Sequence, residues 1–118
     1  MHAAFWTLQI ILAIHTLTGA FWKFSNSVDA VPSLRAIPDR AWRVLGVIEI
    51  VLALILIVPV FNESLAKLAA FGALGITLEM LVFSAIHLRS GSKTHGQMIY
   101  WLVVAALAAF VAITRLTA

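Results

Sequence analysis

Two glutamates and a histidine stand in stretches of sequence that otherwise hold almost nothing but Leu, Ile, Val, Ala and Phe: Glu49, Glu79 and His15. A charged side chain at membrane depth costs about 2.5–3.5 kcal/mol even on the lenient insertion scales, so such groups mark pairing, cavities or proton relays. Depth follows from the helical rise. With the more basic helix ends taken as zero, His15 lies roughly 12 Å in, Glu49 roughly 10 Å and Glu79 roughly 13 Å. Three ionisable groups from three segments therefore share one layer, with Lys23, Arg43 and His87 above them toward the basic face. Carboxyl and imidazole groups brought together can hydrogen-bond a polar head and pass a proton near neutral pH, the chemistry of a polar-substrate or redox site. Glu49, Glu79 and His15 are the candidates for that work. Lys23, Arg43 and His87 are candidates for orienting a ligand's polar end, and Trp22 and Trp42 for stacking at a pocket mouth.

Each residue also has a plainer reading. Glu49 paired with Lys23 or Arg43 would lock the bundle, and Glu79 bonded to His15 would be interhelical glue averaging about 0.6 kcal/mol. Lys23, Arg43 and His87 stand near helix ends, where long side chains reach back to the interface. Gln9 is a further polar residue in the first segment. Two acids and a histidine at matching depth favour a cavity over independent structural pairs.

Other site chemistries lack their residues. The chain has no cysteine, which removes disulfides, thiolate catalysis and Cys-ligated metals or clusters. Neither H-E-x-x-H nor E-x-x-H occurs, so zincin and di-iron patterns are absent. His15 and His87 differ in depth by roughly 10 Å, too far for one bis-histidine haem. A single-histidine haem on His15 has no positive support.

The elements that must hold these residues are four apolar runs, about 3–24, 42–61, 65–88 and 98–116. Each is long enough for a hydrocarbon core, which takes about 20 helical residues. Without period-two alternation, backbone hydrogen bonding in lipid makes them helices. The expected fold is an all-α integral membrane protein, one domain of four transmembrane helices. The chain has 118 residues, 63% hydrophobic and 11% charged, too few polar groups to clothe a water-soluble surface. The first run has no charged residue before it beyond His2 and the terminal amine, so it reads as a retained span and not a signal peptide. Segment 25–40, with Pro32, Pro38, Asp29 and Asp39, is a connection with room for a short interfacial helix. Asn62 or Ser64 is a candidate N-cap for the third helix, and 89–96 is a polar turn. Gly46, Gly72, Gly75 and the alanines of the third and fourth runs provide small-residue packing faces.

The net charge of +3 arises at helix ends and connections, with no continuous basic stripe for nucleic acid. Six of the eight basic residues flank the first and third connections, while Lys67 and Arg115 lie opposite. The positive-inside rule then puts those connections in the cytoplasm and both termini outside. Trp6, Trp22, Trp42 and Trp101 fall near span ends, where interfacial anchoring is the usual role.

The segment Ala41-Trp-Arg43-Val-Leu-Gly46-Val-Ile-Glu49 resembles the R-x-x-G-x-x-E opening of the second helix in DoxX-like membrane proteins, with the apolar run ending at Pro59. Met80, then His87, Arg89 and Gly91 resemble that family's third-helix ending, and Gly19-Ala-Phe-Trp-Lys23 its first. The resemblance implies a four-helix bundle in the bacterial inner membrane, with Lys23, Arg43, Glu49 and His87 as the family's polar positions. Some relatives are subunits of thiosulfate:quinone oxidoreductase, and a distant animal branch assists receptor assembly. Glu79, where an apolar residue usually precedes the methionine, departs from the pattern. So does the lack of cysteine, and both speak against thiosulfate chemistry.

Taken together, the sequence is read as a DoxX-like protein whose buried polar pocket opens toward the basic face. The pocket binds a lipophilic small molecule of quinone or isoprenoid type, in a protein associated with an oxidoreductase. A quinone is the cofactor class this suggests; the sequence itself names none. The expected partners are membrane lipid and that molecule, with a homo-oligomer or a partner membrane subunit as further options. Two other classes remain. A small proton-coupled exporter fits the length, though such exporters carry their glutamate in the first helix, where this chain has His15. A non-catalytic assembly factor or accessory subunit would use the same charges to pair with another protein's helices.

Overall fold

The computed structural model describes residues 2–117. Four helices carry most of them: α1 (His2–Ser25), α2 (Asp39–Phe61), α3 (Leu68–Arg89) and α4 (Gly96–Thr117). All four are long and apolar enough to cross a membrane, and the molecule measures 43 × 24 × 17 Å. The long dimension exceeds the roughly 30 Å of a hydrocarbon core. The protein is a four-helix membrane bundle, as the hydropathy pattern requires.

Consecutive helices run antiparallel as neighbours, α1 against α2, α2 against α3 and α3 against α4. The backbones approach most intimately within the first and third of these pairs. The α1/α4 seam is looser and is bridged by side chains. Inward positions of α2 recur as Trp42, Gly46, Glu49, Ala53 and Leu56, the three-and-four spacing of one helix face. Val44, Val47, Val51 and Leu54 on the same helix are about half exposed. In water that outer face would drive aggregation, whereas in a bilayer it is solvated by acyl chains.

Small residues set the α2/α3 distance. A Cβ added to Gly75 would stand 2.6 Å from Leu52 Cδ2, and one on Gly72 2.9 Å from Ile55 Cγ2. Only hydrogen at these positions lets the two helices touch there.

The connections close the two ends of the bundle differently. Segment 25–40, with its room for a short helix, winds into two 3₁₀ turns, Val28–Ala30 and Pro32–Leu34. Its buried residues, Val28, Val31, Leu34 and Ile37, recur every third position. Each one's amide donates to the carbonyl of the one before, at 2.9 Å in all three cases. A period of three matches the 3.0 residues per 3₁₀ turn, so one apolar stripe folds down over the open end of the bundle. At the opposite end, neither Asn62 nor Ser64 caps α3. Asn62 Oδ1 instead accepts from the Ser64 amide and hydroxyl at 3.2 and 2.6 Å. That bond shapes the 3₁₀ turn Glu63–Leu65, so α3 starts at Leu68 with Lys67 before it.

Candidate functional site

Near its C-terminus α1 places Lys23 on the inward face, one turn past Gly19, so the ammonium turns into the bundle where most helix-end lysines would reach out. Its Nζ lies 2.7 Å from Glu49 Oε1, and both side chains are buried. A buried ion pair is tolerable only where further contacts offset its desolvation. Here the ammonium also stands 5.0 Å from the Trp42 ring centroid and 5.2 Å from that of Phe83, in cation–π contact with both. Glu49 fits because its neighbour on α1 is a glycine: a Cβ on Gly19 would come 3.5 Å from Glu49 Oε2.

A cavity of about 330 Å³ opens beside this pair. All four helices contribute: His15, Thr18 and Trp22 from α1, Trp42 from α2, Met80 and Phe83 from α3, and Gln97, Tyr100 and Trp101 from α4. Val31 and Leu34 of the 3₁₀ stripe close it from above. His15 Nε2 and the Tyr100 hydroxyl share a hydrogen bond across the α1/α4 seam. Trp22 sets its edge against Trp42 with ring centroids 6.2 Å apart, and Phe83 tilts on Trp101 at 5.6 Å. The result is an aromatic box with one cation, one anion and a few neutral donors, enough to fix a small polar ring in one orientation.

The structure brings Lys23, Glu49, His15, Trp22 and Trp42 together on this cavity. Glu79 lies behind it. Glu79 is 9% exposed and lies against Glu49, close enough to Glu49 and Lys23 to feel both charges. It is not bonded to His15, which turns to Tyr100 instead. His87 is buried in an adjoining vestibule of about 240 Å³, which shares Trp22, Val31 and Gln97 with the main cavity. Its ring nitrogens bond Ser33 Oγ at 2.8 Å and His95 Nδ1 at 3.2 Å.

Arg43 is the exception. It is exposed and lines none of the cavities described here. Trp42, Gly46 and Glu49 own the inward face of α2, and one step of about 100° carries Arg43 off it. The tryptophans also need correction. Trp101, expected as an interfacial anchor, is 4% exposed and is a pocket wall, while Trp42, a stacking candidate as well, is 2% exposed beside it with Nε1 donating to Asn26 O at 2.9 Å. Trp22, 42% exposed, stands at the rim.

Residues of α4 complete the site without having been singled out. Gln97, Tyr100 and Trp101 lie at three-and-four spacing ahead of buried Val104, a polar-aromatic continuation of an inward stripe that could have exposed them. Among the described residues no group of three or more His, Cys, Asp or Glu side chains is placed to hold a metal ion.

A family model described as the DoxX-like family matches residues 7–111. No curated protein and no solved structure matches the chain.

Proposed function

Because the chain belongs to the DoxX-like family and is a multi-pass membrane protein, we propose that its aromatic cavity binds the polar head of a lipophilic small molecule of quinone or isoprenoid type. In this reading the protein is an inner-membrane component associated with an oxidoreductase, and its more basic connections face the cytoplasm. One observation carries the reading: the buried Lys23–Glu49 pair lies beside a space of about 330 Å³, not inside solid packing. That volume is at the small end of ligand pockets, enough for one ring.

A quinone ring presents two carbonyl acceptors on opposite edges and two apolar faces. The Lys23 ammonium, with protons beyond the one directed at Glu49, is a donor for one carbonyl. The Tyr100 hydroxyl, held by His15, is a donor for the other. Trp42 and Phe83, already against Lys23, provide faces for the ring. Glu49 holds the ammonium in place and, with His15, is the group through which a proton would reach a reduced ligand oxygen. His87 and Ser33 in the vestibule are hydrogen-bonding contacts on the way in from the polar end.

The test is quenching of tryptophan fluorescence by a short-chain benzoquinone in detergent-solubilised protein. Saturable quenching is expected in the wild type. Glu49→Gln and Lys23→Met are each expected to weaken it at least about tenfold, the scale of one lost charge-assisted hydrogen bond. Quenching that never saturates, or that Glu49→Gln leaves untouched, would remove the ligand role.

A further inference from the structure

The basic end of the bundle carries charge that the aromatic cavity does not use. Arg35, Arg40, Arg43, Arg89 and Lys93 are exposed there against two exposed acids, Asp29 and Asp39. Three of these arginines line recesses. Arg35 and Arg89 line a pocket of about 400 Å³ between the 3₁₀ turn Pro32–Leu34 and the C-terminus of α3, with Ser33 and Ser90 beside them. Arg40, in the first turn of α2, stands at the head of a groove of about 830 Å³ between α2 and α3, open to the side of the bundle. Ile86 lines both, so pocket and groove are neighbours on one face.

Below Arg40 the groove turns apolar. Val44, Ile48, Leu78 and Val82 are among its walls, and it reaches down to the close approach of Gly75 and Leu52. From Arg40 to Leu52 is twelve residues, about 18 Å along the helix axis. One leaflet of a hydrocarbon core roughly 30 Å thick is about 15 Å deep, so the groove spans a leaflet from its polar boundary inward. Phe83 is the only residue it shares with the aromatic cavity.

The arginines are free to take an anion. Arg35 stands 3.8 Å from Asp29 with both side chains well exposed, a contact worth little in water. Among the described residues no ion pair holds Arg40 or Arg89. Guanidinium forks match phosphate oxygens, and a basic recess beside helix ends at the membrane surface suits an anionic headgroup.

We propose that this face holds one anionic phospholipid, its phosphate among Arg35, Arg40 and Arg89 and an acyl chain in the α2/α3 groove. A zwitterionic lipid brings the same chain and phosphate, but its own ammonium cancels the charge. A water-soluble phosphate ester brings the head without a chain to fill the groove.

Thermal unfolding of the detergent-solubilised protein with dioleoyl phosphatidylglycerol, dioleoyl phosphatidylcholine or glycerol 3-phosphate tests this. Phosphatidylglycerol is expected to raise the unfolding midpoint, with no comparable shift from the other two. Arg35→Gln, Arg40→Gln and Arg89→Gln combined should reduce its shift to that of phosphatidylcholine. Val44→Phe with Val82→Phe, both about half exposed on the groove walls, fills the groove without touching a charge and should reduce it too. Benzoquinone quenching should survive in both variants, which separates this site from the aromatic cavity; loss of quenching along with the shift would overturn the assignment. Equal shifts from the two lipids would mean ordinary solvation by acyl chains and overturn it. So would an equal shift from glycerol 3-phosphate, which would make the arginines a free-phosphate site. An undiminished phosphatidylglycerol shift in either variant has the same force.

Discussion

At one end of the bundle a buried lysine meets a carboxylate beside a hollow; at the other a buried arginine meets an amide with none. Arg115 is 5% exposed, its Nε donates to Gln9 Oε1 at 2.8 Å, and its guanidinium lies 4.0 Å over the Trp6 ring. Gln9 in turn donates to Leu56 O at 2.7 Å, tying α4, α1 and α2 together. The space between Leu8, Val111 and Arg115 has no room for a water molecule. Both ends bury a cation against an aromatic ring. They differ in what is left over, for the Gln9–Arg115 end is packed solid while the Lys23–Glu49 end keeps a second buried acid, Glu79, and an open volume. Buried charge alone is therefore no guide to function; the space beside it is.

Three substitutions can break or sharpen that contrast. The largest effect should come from Glu49→Leu, which strands the Lys23 ammonium. Removing one member of a buried pair costs about 3–5 kcal/mol, read from chemical or thermal unfolding in detergent. Adding Lys23→Met should recover much of that loss, and a double variant no better than the single one would mean the pair is not the reason. Gln9→Leu comes next. It cuts the three-helix tie and should cost about 1–2 kcal/mol, the upper range for interhelical hydrogen bonds in bilayers, while leaving benzoquinone quenching unchanged. A marked loss of quenching would mean the two ends are coupled. The smallest effect belongs to Arg43→Gln. An exposed arginine off the cavity should shift stability by less than about 0.5 kcal/mol and quenching not at all.

How far the sequence foretold this depends on range along the chain. Helices are written locally, in apolar runs with polar breaks, and the four of them were legible. The shared layer of Glu49, Glu79 and His15 came from counting residues back from the basic ends, which works because a helix has a fixed rise. Rotation about the helix axis is harder to read in a membrane protein, since inward and outward faces are both apolar and the polar stripe that marks orientation in water is missing. For that reason the sequence places Arg43 on the wrong face and makes Trp101 look like a belt residue. The bond between Gln9 and Arg115 joins positions 106 residues apart, and no local pattern announces it. Tyr100 escaped notice because an aromatic near a span end looks like an anchor until its neighbour across the seam is known.

The 3₁₀ stripe over the cavity has a consequence for how this chain can vary. Because Val28, Val31, Leu34 and Ile37 keep their phase only in steps of three, a single inserted or deleted residue among them would turn every later one by about 120° and unseat the cover. Substitutions at Asp29 or Arg35, both well exposed, leave that phase alone. Descendants of this sequence should therefore drift freely in the letters of this connection while holding its length fixed.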